Sequence, residues 1–129
     1  MQDLQSIPQG STTDVTGAIQ KATTYACDPT DDKIFLLSEY EVTKYSKSTE
    51  AYDSKGKGNS RIRVTTDFAK ANFAWQDTDD GCGGWWWLRS PYYGGSYGAR
   101  YVRYDGSARE NFSVSLTRGG VVPALSISF

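Results

Sequence analysis

A chain of 129 residues has room for one domain whose moderate hydrophobic core needs neither metal nor disulfide staples. Its 14 Lys and Arg against 15 Asp and Glu exclude binding of nucleic acid or an anionic membrane by bulk charge, and no apolar run is long enough to insert across a bilayer. Histidine is absent, which removes the usual general base, the commonest metal ligand and every Ser–His or Cys–His nucleophile pair. Carboxylate or lysine chemistry stays open, but the expectation is a protein with no catalytic residue, no metal and no cofactor.

Residues 1–31 read as a polar N-terminal segment, in which Val15, Ala18, Ile19 and Ala22 fall at the spacing of a short helix. Pro29 and Asp31–Asp32 mark a turn, and one domain is expected over residues 32–129. Lys33 to Leu37 is a brief apolar run bounded by turn residues, the pattern of a short buried strand. Ser38 and Glu41 then match a capping box, which predicts a helix through about Tyr45 with Val42 and Tyr45 turned inward. Lys55 to Asn59 carries glycines but lacks the GK[ST] ending and the preceding strand of a phosphate-binding loop, so Ser46 to Ser60 reads as a solvated loop. Thr66 to Phe73 predicts a second short helix, with Phe68, Ala69, Asn72 and Phe73 at helical spacing.

The acidic stretch Asp77, Asp79, Asp80 fails the EF-hand template, because the fifth position from Asp77 is Gly81 and the twelfth is Leu88. Gln76 to Gly84 is therefore expected to be a tight, solvated turn. Cys27 and Cys82 form no CxxC, and both a disulfide and two free thiols fit them. Cys82 has no histidine to activate it, and nearby aspartates raise a thiol pKa, so it is not a candidate nucleophile. Trp85 to Leu88 predicts a central strand covered on both faces. Alternation prevents its three tryptophans from facing one side, so Trp86 or the Trp85/Trp87 pair belongs to the core and the run is structural. Arg89 beside it reads as a hydrogen-bonded structural arginine.

Ser90–Pro91 is expected to end that strand. Alternating pieces follow at Ala99 to Tyr104 and Phe112 to Leu116, split by Asp105–Gly106, and Gly119–Gly120 leads into a last apolar strand, Val121 to Ile127. The sum is an α+β fold: two short helices, small antiparallel sheets and long loops. Tyr92 to Arg118 stands out. It holds five of the nine tyrosines (Tyr92, Tyr93, Tyr97, Tyr101, Tyr104) among Gly and Ser, and every cation beyond Lys70 is an arginine. Rigid amphipathic Tyr, bidentate Arg and adaptable Gly and Ser are the alphabet of protein-recognition surfaces. The bland alternative is a Gly/Tyr-rich loop with no partner. Asn111-Phe112-Ser113 is formally a glycosylation sequon, a tripeptide common by chance.

Four blocks, DKIFLLSEYEV, TTDFAKANFAWQ, GGWWWLRSP and GGVVPALSI, with the ARYVRYDGS element, resemble a bacterial and phage domain family marked by a WWLRSP motif. That family is similar to the C-type-lectin-like fold of formylglycine-generating-type domains and of the variable proteins of diversity-generating retroelements. The resemblance runs from Asp32 to Phe129 and implies a fixed frame carrying a C-terminal variable region, about residues 83–129. In retroelement targets, corrupted template adenines turn AAY codons into those for Tyr, Ser, Gly, Asp, Arg, Phe or Asn, but not Lys or Glu. Tyr92, Tyr93, Gly94, Gly95, Ser96, Tyr97, Tyr101, Arg103, Tyr104, Arg109, Asn111 and Phe112 fit that set and are the implied ligand-binding residues; Glu110 does not fit. Val122 stands where a GVRPA-like ending has arginine.

The resemblance thus implies a display domain on a phage particle or bacterial cell surface, binding a protein or other cell-surface ligand of a host. A fixed module of the same fold, binding glycan or a protein subunit, is the alternative. A carboxylate enzyme using Asp77, Asp79 or Asp105 is a distant third. Oligomeric state is left open. The chain lacks the late cysteine pair of formylglycine-generating enzymes and the EPN, QPD and WND motifs of calcium-dependent lectins, so neither activity is carried over.

Overall fold

Two short helices and two small antiparallel sheets make an α+β fold, in a computed structural model that describes residues 33–47, 55–78, 83–92, 95–125 and 127. The expected helix over residues 14–25, both cysteines, and Asp79 and Asp80 lie outside the described residues. Strand β1 (Ile34–Leu36) pairs antiparallel with β5 (Pro123–Leu125), with Ile34 opposite Leu125 and Leu36 opposite Pro123. The last strand is thus shorter than its apolar run, because pairing lasts only as long as the three-residue partner.

Helix α1 (Glu39–Tyr45) starts where the capping box places it. The Ser38 hydroxyl accepts from the Glu41 amide at 3.2 Å, and the Glu41 carboxylate accepts from the Ser38 amide at 2.6 Å. Val42 enters the core, but Tyr45 is 58% exposed, against expectation. The helix buries Glu39, Glu41 and Val42 at its N-terminal end, and its last turn stands in solvent. Helix α2 (Asp67–Ala71) is capped by Thr66 and buries no residue; Phe68 and Phe73 are each 81% exposed. The helical spacing there is real, but one turn of helix ends at Asn72, and Phe73 leaves it with φ 68°.

The second sheet runs β2 (Trp86–Pro91), β3 (Gly98–Val102), β4 (Ala108–Ser113), all antiparallel. The Trp-rich strand is therefore not central; β3 is. The free side of β2 is covered by irregular chain instead of a strand. The Gly120 amide donates to the Trp85 carbonyl at 2.8 Å, the Trp87 amide to Gly120 at 3.1 Å, and the Arg89 amide to Leu37 at 3.1 Å. Ser90 and Pro91 lie within β2, and Pro91 pairs with Ala99 after a register shift, a strand end being where proline is tolerated.

Period-two alternation divides this sheet. Trp86, Leu88 and Val102 point to one side and join Val42 in the core, with Leu37 and Val122 packed against them. Arg100 points the same way and is fully buried, which for an arginine requires a partner. Its guanidinium meets the Glu39 carboxylate at 2.7 Å, with both ends at most 1% exposed. Arg89 meets Glu41 at 2.9 Å and donates to the Leu36 carbonyl at 3.2 Å, the structural role its position suggests. The two ion pairs, with the Glu39 amide donating to Ser90 Oγ at 2.9 Å, clip α1 onto β2 and β3.

Candidate functional site

The side of the sheet away from α1 carries the aromatic residues. In register, Trp87 lies opposite Tyr101 and Tyr101 opposite Arg109, all half-buried. Trp85, two residues before Trp87, joins them with its edge to the Trp87 ring (5.0 Å, 84°) and to Phe112 (4.8 Å, 78°). Tyr101 stacks on Phe112 at 4.8 Å and 24°. Offset and edge-on pairs of this kind hold rings in fixed mutual orientation. Gly119 makes the arrangement possible, since a Cβ there would strike the Trp85 and Trp87 rings.

The rings of Trp85, Tyr101 and Phe112 form one wall of a solvent-open cavity of about 310 Å³. Trp75 and Tyr104, 5.4 Å apart, form another wall, and Leu116 closes part of it. Two arginines complete the lining. Arg103 lies 4.7 Å over the Tyr104 ring and donates to its hydroxyl at 3.2 Å. Its ion pair with Asp105 is long, 3.7 Å, and partly exposed, so it adds little. Arg118 has no ion-pair partner among the described residues, and its carbonyl accepts from the Trp75 amide at 3.0 Å.

The β3–β4 turn sets Arg103 and Tyr104 at the cavity. The Gly106 amide donates to the Arg103 carbonyl at 2.9 Å, and Gly106 holds φ +86°, a conformation that suits glycine. Asp105 Oδ1 accepts from the Ser107 amide and hydroxyl at 3.1 and 2.6 Å, so this carboxylate is committed to the turn. Burial raises the Tyr101 phenol above its ordinary pKa, against the opposing pull of Arg103 and Arg109, so it is a proton-bearing hydroxyl at neutral pH.

Of the residues the sequence singles out, Tyr101, Arg103, Tyr104 and Phe112 converge on the cavity, and Arg109 sits beside Tyr101. Tyr92 and Tyr97 form a separate edge-on pair, 5.8 Å apart, at the β2–β3 connection. Ser96 and Tyr97 are exposed there, whereas Gly95 is buried against the Tyr97 ring. Asn111 is exposed on β4 and flanks Gly98 together with Tyr92. Tyr93 and Gly94 lie outside the described residues. Sequence reasoning missed Trp75, Leu116 and Arg118 as lining residues, and Trp85 both packs the sheet and lines the cavity. The signal for Arg118 was present, since it ends the arginine-only stretch; Trp75 carries no such mark. Among the described residues no three His, Cys, Asp or Glu side chains group so as to hold a metal ion, and no helix is long and apolar enough to cross a membrane.

The family model described as Domain of unknown function (DUF6273) matches residues 5–129, and the chain belongs to that family. No curated protein and no solved structure matches it.

Proposed function

We propose that this family member is a ligand-binding display domain with a C-type-lectin-like frame, similar to the variable proteins of diversity-generating retroelements. Its ligand is a protein at a host or bacterial cell surface, its setting a phage particle or the bacterial surface, and it carries no catalytic centre. The observation behind this reading is the cavity that Tyr101, Arg103, Tyr104 and Phe112 share, on the side of the sheet opposite the ion-paired core. Aromatic and arginine side chains gathered at an open surface are the composition of protein interfaces and their hot spots. Their attachment to β3, β4 and the intervening turn lets side chains change while the α1-facing side holds the fold.

One observation favours the second reading, a fixed module of the same fold. Tyr101 and Phe112 are stacked on each other and packed against Trp85, so exchanging either forces its neighbours to repack. The DNA around the gene separates the two. A nearby near-copy of the stretch encoding residues 83–129, differing only opposite adenines and accompanied by a reverse transcriptase gene, is the expected result. Its absence from the complete flanking sequence moves the assignment to the fixed module.

A further inference from the structure

We infer that the cavity takes an aromatic ring bearing a negatively charged group, presented by a partner protein as an aromatic side chain beside a carboxylate. This rests on the binding role proposed for the same face, and narrows the ligand by three features of the walls.

Size comes first. A dry cavity of about 150 Å³ is enough for benzene, so about 310 Å³ accommodates one ring together with its substituent. Trp85 stands edge-on to the stacked pair Tyr101 and Phe112, and Trp75 is tilted to Tyr104, so the bordering rings form a cup and not a flat platform. A planar group entering such a cup meets both ring faces and ring edges, the arrangements aromatic pairs prefer.

Polarity comes second. Among the described residues the lining contains no Asn, Gln, Asp, Glu, Ser or Thr; their side-chain polar groups are two tyrosine hydroxyls, the indole N–H groups and two guanidiniums. A sugar brings a hydroxyl on almost every carbon, and each one desolvated without a partner weakens binding by about tenfold or more. Those walls therefore fit an aryl group better than a saccharide.

Charge comes third. An aromatic cup by itself attracts cations as readily as rings. Here Arg103 and Arg118 border it, Arg109 lies beside Tyr101, and the carboxylate next to Arg103, that of Asp105, is tied to Ser107. That field repels an ammonium and favours an anion. Arg118 has no ion-pair partner among the described residues, and a guanidinium binds a carboxylate with two parallel hydrogen bonds.

The test is an NMR titration of the whole ¹⁵N-labelled chain, whose four tryptophans give four indole N–H signals. The probes are N-acetylphenylalanine as its carboxylate, the corresponding amide, phenyltrimethylammonium and methyl glucuronide, each raised to roughly 20 mM because fragments of this size bind at about millimolar strength. The carboxylate is expected to move the signals of Trp75 and Trp85. Trp86 should not move, since its indole donates to the Arg61 carbonyl at 3.1 Å inside the core, and its unchanged signal reports an intact fold in every variant. The amide should bind about tenfold more weakly, and the double variant Arg103→Ala/Arg118→Ala should reduce the carboxylate to the level of the amide.

Equal binding of carboxylate and amide by the parent chain overturns the inference, as does tighter binding of the ammonium or the glucuronide, or still signals at Trp75 and Trp85. Failure here is distinguishable from failure of the display role, which the flanking DNA decides without reference to the cavity.

Discussion

Arg100→Met should be among the most damaging single substitutions in this chain, although it replaces a buried charged side chain by an apolar one. At 2.7 Å and an effective dielectric constant of about 20, the attraction between Arg100 and Glu39 is about 6 kcal/mol, and desolvating the two ions costs a comparable amount. The intact pair is therefore close to neutral. Removing the cation alone takes from the Glu39 carboxylate, 1% exposed, the guanidinium it meets at 2.7 Å, at a cost of about 3–5 kcal/mol. That is a large share of the roughly 5–15 kcal/mol by which domains are stable. Urea unfolding followed by circular dichroism should show the loss as a lowered midpoint, and the melting temperature should fall by roughly 10–20 °C. The double variant Glu39→Leu/Arg100→Met should recover most of it, because it removes both charges of this pair together. A single variant that loses less than about 1 kcal/mol, or a double variant no better than the single, would refute this account of how α1 is held to the sheet.

Ser38→Ala should cost about 1–2 kcal/mol by removing the acceptor for the Glu41 amide at a buried helix start, read as a lower urea midpoint at unchanged slope. Tyr97→Ala, at a side chain 56% exposed, should change stability by less than about 0.5 kcal/mol. Phe112→Ala should cost about 2–3 kcal/mol, because its half-buried ring contacts Trp85 and Tyr101; equal losses at the two positions would show the rings are not packed as described. The folded chain holds the Tyr101 proton more tightly than the unfolded one, so this group's contribution is complete below about pH 10 and is lost as pH rises through the raised folded value. The stability of the parent chain relative to Tyr101→Phe should therefore fall as pH rises above about 10; a constant difference there contradicts the shift.

What the sequence shows in advance is what local physics decides. The α1 cap depends on two residues three apart, and β1 on a short apolar run between turn residues; both elements are found in the structure, but β1 is not the buried strand expected, since Ile34 is 66% exposed. The Trp run is legible as strand but not as edge or centre, since its outer side is covered by Gly120 and Leu37, distant in sequence. Strand β4 begins at Ala108, earlier than its apolar pattern, because Ala108 and Arg109 are held there by pairing with Val102 and Tyr101 and not by any hydrophobic alternation of their own. Spacing alone cannot say whether a helix face finds a partner, and that of α2 does not. At the site, composition locates Tyr101, Arg103 and Tyr104, and the family resemblance adds Phe112. It cannot separate Arg100, buried with Glu39, from Arg103 three residues on at the cavity, because the two differ only in the face of the strand and turn they occupy.

That separation of faces makes the diversified reading testable without a ligand. Inward positions Arg100, Val102, Ser107 and Ala108 are at most 2% exposed, and altering such residues typically costs several kcal/mol. Ser96, Tyr97, Tyr101, Arg103, Tyr104, Arg109, Asn111 and Phe112 are all at least partly exposed. Surface substitutions usually stay within about 0.5 kcal/mol, so Ser96, Tyr97 and Asn111 should change most easily with the fold retained, and the half-buried stacked pair Tyr101 and Phe112 least. Gly95 is the exception, because a Cβ there meets the Tyr97 ring; it should vary only alongside Tyr97. Deep sequencing of this gene across a bacterial or phage population should therefore show substitutions at the outward set and conservation at Arg100, Val102, Ser107 and Ala108. Changes distributed evenly over both sets would mean that the sheet does not divide frame from surface, and the display role would lose its structural basis.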